Sequence, residues 1–211
     1  MMWRFFLLHT IILVIHNACA DTDKNILQFK SYLKNLDSIA ADFTQNDSHD
    51  LKAKGKLLIS KPYKFRCNYY PPFPLLIVGN TNFVSVYDYD MEQLSRIKTE
   101  ENVFNFLLID GAEIDKNIDF ESFEIDEYIF KATFYHAPSA RRSSITFDNL
   151  GKLKSLVIYE DGNYITINFE EIKQVVNFQE DLFTIRDPNN FDAPKRLKKD
   201  ELEKQYQLKS K

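Results

Sequence analysis

A mainly antiparallel β architecture with helical cover follows from three features of this 211-residue sequence. Most of the chain between residues 41 and 175 alternates apolar and polar side chains at period two, in short runs separated by turn residues. Two segments, residues 23–39 and 101–113, break that rhythm with helical spacing. Aromatic residues make up 14% of the chain, with 18 Phe and 11 Tyr, a content that favours strands and large apolar contacts.

The first twenty residues read as an export signal. Arg4 lies beside the N-terminal amine, the apolar run FFLLHTIILVIHN follows, and Ala18 and Ala20 stand where a signal peptidase reads, so cleavage is expected between Ala20 and Asp21. A membrane anchor and a lipidated Cys19 are the alternatives. The run falls short of the roughly 20 apolar residues of a span, and His9 and His16 interrupt it. His16, three residues before Cys19, stands where a lipobox usually has Leu. Cleavage removes one basic residue from the 27 basic and 31 acidic of the whole chain, and leaves Cys67 as the single cysteine. An exported chain with one cysteine has no internal disulfide and is held by its core. The acidic balance argues against nucleic acid as a partner, because a phosphate-binding face needs clustered Lys and Arg.

After the signal, DKNILQFKSYLKNLDSI (residues 23–39) sets Ile26, Phe29, Leu33 and Leu36 on one helical stripe with lysines between. The period then changes. ADFTQ, GKLLIS, YKFRCNYY, LLIVG, FVSVYDY and QLSRIK are short alternating or apolar runs, and GNTN at 79–82 reads as a hairpin turn. Within the third run, Phe65, Cys67 and Tyr69 share one face while Lys64, Arg66 and Asn68 share the other. In ENVFNFLLIDGAE, residues 101–113, Phe104, Leu107 and Leu108 fit one helical face and Gly111 fits a C-terminal cap.

Strands resume with FESFEI, YIFKATFYH, SSITFD, LKSLVIY and YITINFEEIKQV, with turns DNLGK and EDGN among them. LFTIRDPNNFD is expected to supply a last short strand. The tail from Lys195, with 7 basic and 3 acidic residues, reads as a frayed helix or a disordered segment. The chain thus divides into a cleaved signal (1–20), one domain (21–194) and a charged tail (195–211). The domain holds about ten or eleven strands, and a sheet that long curls, its edges hidden by closure or by helices. The result is either a filled barrel or a barrel with a cavity.

Residues that could carry covalent chemistry are sparse. His49 and His136, with one cysteine, leave no zinc site of the usual His and Cys composition. No Ser sits in a nucleophile elbow, and glycines at 55, 79, 111, 151 and 162 are too dispersed for a phosphate-cradling loop. Asp88, Asp90 and Glu92 stand at period two, as a calcium or carboxylate-pair site or as a solvated strand end. The absence of Gly or Asn ligands around them favours the strand end. No metal or cofactor is expected, and an enzyme is disfavoured.

An export signal and an amphipathic helix lead into ADFTQ (Ala41–Gln45), GKLLISKP (Gly55–Pro62), FRCNYYPP (Phe65–Pro72), LLIVG and VYDYDMEQL. That ordered series resembles the LolA family, the periplasmic outer-membrane lipoprotein carriers of Gram-negative bacteria. The likeness runs through residues 22–110, with a weaker echo in FTIRDPNNFD. It implies an unclosed antiparallel β-barrel of about eleven strands, covered by a helical lid around an apolar cavity. It also implies a monomeric carrier without covalent chemistry, working in the periplasm. Acylated lipoproteins would be its cargo, an inner-membrane ABC-type release complex its donor and an outer-membrane protein its acceptor. Relatives of the same fold include a receptor and stress-sensing regulators, so a lipoprotein-sensing or regulatory binding module is the alternative.

On this resemblance the cargo-binding residues are Leu57, Ile59, Phe65, Cys67 and Tyr69, with Ile26, Phe29, Leu33, Leu36, Phe104, Leu107 and Leu108 as lid faces. Lys61 occupies the position, before the proline after the second strand, where the family often has an Arg that latches the lid through backbone hydrogen bonds. Lys can donate to carbonyls but lacks the planar fork of Arg. Arg66 matches the arginine of the family's Phe-Arg-Trp, and alternation points it outward, towards a partner. Cys67 replaces the usual Trp and should leave more room in the cavity. Mass spectrometry of the exported protein is expected to find Asp21 as the first residue; a diacylated Cys19 would contradict this.

Overall fold

The structure, a computed structural model, describes residues 21–209, so the expected export signal lies outside the described residues. Its strands are β1 (Ser38–Asp47), β2 (Lys52–Ser60), β3 (Lys64–Tyr69), β4 (Leu75–Gly79), β5 (Phe83–Asp88), β6 (Gln93–Lys98), β7 (Ile118–Ile125), β8 (Ile129–His136), β9 (Arg141–Asp148), β10 (Leu153–Glu160), β11 (Asn163–Phe178) and β12 (Tyr206–Leu208). The helices are α1 (residues 21–34), α2 (Gly111–Asn117) and α3 (Lys199–Glu203). All twelve strands join one antiparallel sheet in the order β6-β5-β4-β3-β2-β1-β11-β10-β9-β8-β7, with β12 added to β11. Strands β6 and β7 are free edges, so the barrel is not closed.

Two meanders, β1–β6 and β7–β11, are sewn together where β11 pairs back onto β1. The 16-residue β11 pairs with β10 through its first half and with β12 through its last residues. Its register against β1 shifts between Ala40 and Asp42, near Glu171, whose φ of 48° lies in the left-handed region. A bulge of this kind bends a strand and curls the sheet.

Alternation gives the curled sheet two apolar faces. The inner face packs Ile39, Ala41, Phe43, Ile59 and Phe65 with Phe130, Phe134, Phe147, Leu156 and Phe169. The outer face of the β1–β5 half carries Ala40, Leu58, Leu76, Val78 and Tyr87, and the chain after β11 covers it with Leu182, Phe183, Ile185 and Leu202.

The helical segments differ from the sequence expectation at their ends. Helix α1 stops at residue 34, and Ser38 and Ile39 already belong to β1. Residues 101–113 do not form one helix. They hold a 3-10 turn at Asn105–Leu107 and the start of α2, and Gly111 opens α2 instead of ending a helix. The cause is Asp110, whose Oδ1 accepts from the backbone N–H groups of Ala112 and Glu113 at 2.9 and 3.1 Å. LFTIRDPNNFD supplies no strand; its first two residues end a 3-10 turn at Glu180–Phe183.

The tail, expected to be frayed or disordered, is instead docked. Leu202 of α3 is fully buried, Arg196 Nη2 donates to Phe73 O at 2.6 Å, and β12 pairs with β11. Lys56, buried on the outer face, meets Glu203 at 2.6 Å and Asp42 at 3.1 Å, and Lys199 meets Asp42 at 2.7 Å. Burial raises the Asp42 pKa, but hydrogen bonds from Lys199 and Lys56 outweigh it and hold the carboxyl below its ordinary value. Leu202→Ala is expected to lower stability by about 2–5 kcal/mol in chemical denaturation, the cost of a cavity in a packed core. A loss under about 0.5 kcal/mol, typical of a surface site, would show that this segment does not cover the sheet.

Candidate functional site

Three ranks of side chains cross the inner face of β1–β4, fixed by strand register. Ile39, Ile59, Phe65 and Gly79 form one rank, and Ala41, Leu57, Cys67 and Ile77 the next. Phe43, Gly55 and Tyr69 form the third, with Phe169 of β11 opposite Phe43. Glycine is required where rings lie flat on the sheet. A Cβ on Gly79 would stand 2.0 Å from the Phe65 ring, and one on Gly55 would stand 2.2 Å from Asn68 O and 2.5 Å from the Phe43 ring.

Beneath the 103–109 segment this wall encloses an apolar cavity of about 40 Å³. Its lining includes Leu57, Ile59, Phe65, Cys67 and Tyr69 from the wall and Phe104, Leu107 and Leu108 from the cover. Phe43, Ile77, Ile167 and Phe169 complete it and were not anticipated. Alternation within ADFTQ and LLIVG marks Phe43 and Ile77 as inward-facing. Ile167 and Phe169 arrive only through the long-range pairing of β11 with β1, which no local pattern reveals.

The other four expected cargo contacts lie elsewhere. Ile26, Phe29, Leu33 and Leu36 of the N-terminal segment do not line the cavity. Phe29 packs edge-on against Phe120, Phe134 and Phe147, with ring centroids 5.1, 5.9 and 6.3 Å away. Helix α1 therefore fills the β7–β9 half of the barrel, while the 103–109 segment lies over the β1–β4 wall with Phe104, Leu107 and Leu108 and reaches β8 with buried Phe106, whose ring centroid is 4.8 Å from that of Phe134.

The turn between β2 and β3 ties both covers down. Lys61 Nζ donates to Leu33 O at 2.7 Å, near the end of α1, and lies 3.5 Å from the Asp37 carboxylate. Burial pulls the Lys61 pKa below the ordinary lysine value, with Asp37 opposing. Tyr63 N–H donates to Leu108 O at 3.2 Å, and its hydroxyl reaches both carboxylate oxygens of Glu113 at 2.7 Å. The Glu113 hydrogen bond, with burial, pushes the Tyr63 phenol up to about 12. Tyr63 holds φ 62°, a left-handed conformation that costs a non-glycine residue energy and persists where surrounding bonds fix it. Lys30 also pairs with Asp115, joining α1 to α2.

Arg66 faces outward, as alternation requires, but does not face a partner. It is 5% exposed beneath the segment after β11, donating to Asn68 Oδ1 at 2.6 Å and Leu182 O at 3.0 Å. Sequence periodicity gives the face of a strand and not what later covers it. Burial pushes the Cys67 thiol up to about 12, so it stays protonated at neutral pH and acts as a small apolar surface. Tyr69 satisfies its hydroxyl by donating to Gln45 Oε1 at 2.7 Å. Asp88 closes the β5–β6 turn by accepting from the N–H groups of Asp90 and Met91, and no cluster of three metal-ligating side chains occurs among the described residues.

Comparison with known proteins gives the following. The model of the family described as outer membrane lipoprotein carrier protein LolA matches residues 34–186. An uncharacterized protein of Rickettsia prowazekii is 51% identical over 195 residues, covering 92% of each chain. The outer-membrane lipoprotein carrier protein of Nitrosomonas europaea is 24% identical over 180 residues, covering 80% of this chain and 87% of its own. That of Francisella philomiragia is 24% identical over 202 residues, covering 91% and 97%. Among solved structures, a LolA superfamily protein from Nitrosomonas europaea aligns with TM-score 0.42 and 9% identity, over 71% of this chain and 91% of its own.

The tight Gly79–Phe65 contact yields a test of the wall itself. Gly79→Ala is expected to cost on the order of 1–3 kcal/mol in chemical denaturation, because the methyl group must displace the Phe65 ring. A neutral effect would show that Phe65 does not lie on Gly79.

Proposed function

This chain belongs to the LolA family of lipoprotein carriers, and we propose that it works in the periplasm, sheltering lipoprotein acyl chains between the inner and outer membranes. In this reading an inner-membrane ABC-type complex loads it and an outer-membrane acceptor unloads it. The observation that carries the reading is the apolar cavity, walled by rigid strands on one side and by a short, separately held segment on the other.

Magnitudes favour exchange over permanent packing. Removing one sixteen-carbon acyl chain from water is worth on the order of 12 kcal/mol, at about 0.8 kcal/mol per methylene. A cavity of 40 Å³ holds no such chain, since sites for ligands of this size run to roughly 300–1,000 Å³. Cargo must therefore displace Phe104, Leu107 and Leu108 from the wall and take their place. Contact is traded for contact, which keeps the net binding free energy small enough for release. Cys67, buried and held protonated, presents a small apolar surface to the cargo in this scheme.

Lys61 is the latch in this scheme, holding α1 at Leu33 O while Tyr63 of the same turn holds Leu108 O. A ligand that binds only the open form gains affinity when the closed form is weakened. Lys61→Met is expected to bind a dipalmitoyl lipopeptide about tenfold more tightly and to release it more slowly, since a hydrogen bond from a charged donor is worth about that factor. Unchanged affinity would remove Lys61 from the latch. Incubated with inner-membrane vesicles carrying the release complex, the wild-type protein is expected to yield a soluble complex with lipoprotein. Failure to solubilise any lipoprotein, together with no lipid on the purified protein, would overturn the carrier reading.

A further inference from the structure

The two halves of the barrel interior are filled in different ways. Over the β1–β4 wall lie Phe104, Leu107 and Leu108, and the apolar cavity is the space between them and the wall. A 3-10 turn repeats every three residues, so Phe104 and Leu107 fall in one row and Leu108 in a second. Phe106 points elsewhere. Its ring is fully buried, stands edge-on to Phe134 of β8, and does not line the cavity. Phe134 in turn meets Phe29 of α1, so Phe106 marks the boundary between an exchangeable half and a half packed with rings.

Helix α1 is fastened to parts of the fold other than the lid. Phe29 is fully buried among Phe120, Phe134 and Phe147. Tyr32 lies so close over Gly151 that a Cβ there would stand 2.4 Å from its ring. The same ring packs on Phe130 and Phe147, both with centroids 5.4 Å away. Just past the helix, Asn35 O accepts from Gln174 Nε2 of β11 at 2.8 Å. Edge-to-face pairs add to simple burial, and a ring that leaves such a cluster leaves a void its neighbours only partly fill.

We propose that α1 and Phe106 keep their places when cargo enters, that the ring cluster closes the α1 half of the barrel to acyl chains, and that this carrier therefore takes anchors with two acyl chains in preference to anchors with three. This rests on the carrier reading and adds to it the size of the cargo. Phe104, Leu107 and Leu108 pivot off the wall about the Phe106 ring. Two rows of side chains leave, and two acyl chains take their places. A third chain meets only the ring cluster, which has no space to give, and its methylenes stay in water. The Lys61 bond to Leu33 O then anchors the β2–β3 turn to a helix that does not move, and the turn passes that hold to Leu108 through Tyr63.

The test mixes the full exported protein with phospholipid vesicles holding one of two lipopeptides. Both carry the same peptide, on an anchor with two palmitoyl esters or with those esters and a palmitoyl amide. Extracting the three-chain anchor strands one chain in water, so the two-chain form is expected to be recovered with the protein at least about tenfold more readily. Equal recovery, or more of the three-chain form, overturns the size limit and leaves the carrier reading standing. If neither lipopeptide leaves the vesicles with the protein, the carrier reading falls and this inference falls with it.

Two further measurements assign the boundary to Phe106. Phe106→Ala is expected to narrow that ratio about threefold, the scale of one lost aromatic pair, with Phe106→Leu in its place should the alanine variant not fold. A merely structural role would lower both recoveries together, so an unchanged ratio removes Phe106 from the selection. With 4-fluorophenylalanine at one position at a time, the fluorine resonance is expected to shift on loading at 104 and to stay at 106. A shift at 106 as large as that at 104 overturns the pivot.

Discussion

Contact between the 103–109 segment and the wall of β2 and β3 is the constraint on which the rest of the molecule turns. An unclosed barrel has an apolar inner face that its own strands do not finish covering. Water cannot be left against Leu57, Phe65 and Ile77, so something apolar must lie there in every state. In the empty state that something is Phe104, Leu107 and Leu108. The cover is a 3-10 turn of three residues between short links, whose backbone hydrogen bonds are local, as from Leu107 N–H to Phe104 O and from Leu108 N–H to Asn105 O. It is tied to the β2–β3 turn by the Tyr63 N–H bond to Leu108 O and anchored on the far side by buried Phe106 against Phe134.

The opposite face shows the complementary solution. The outer surface of β1–β5 is covered permanently by the chain after β11, through buried Leu182, Phe183 and Leu202 and through the Lys56, Asp42, Glu203 and Lys199 ion pairs. Removing one partner from such a network leaves a buried charge uncompensated, so the network resists opening. Arg66 belongs to this arrangement, its guanidinium capping the Leu182 carbonyl. One face of the wall thus has a fixed cover, and in the proposed carrier cycle that leaves the other face free to exchange its cover without the sheet changing shape.

The strands and their inward residues were legible because period two is a local property. FRCNYY alone places Phe65, Cys67 and Tyr69 on one face, and the cavity lining confirms that shared face. What was not legible depended on distance or on competition. Gly111 carried the signature of a helix end, but Asp110 one residue earlier caps a helix start, and the cap prevailed. Leu197 and Leu202 are isolated apolar residues in a run of charges, so no periodicity announced that the tail docks. Ile26, Phe29, Leu33 and Leu36 were correctly an apolar stripe, but a stripe does not say which half of a barrel it fills. The resemblance to the LolA family was carried by segments before residue 110, and the 34–186 match extends it well into the second meander.

Amide hydrogen exchange with and without a dipalmitoyl lipopeptide tests the central claim most directly. If cargo replaces the cover, the Tyr63 amide bonded to Leu108 O and the amides of Leu107, Leu108 and Ile109 should exchange faster in the loaded protein. The β2 and β3 amides should slow or stay unchanged. Lipopeptide that binds while the 103–109 amides keep or gain protection would contradict displacement of the lid and place the cargo somewhere other than beneath it.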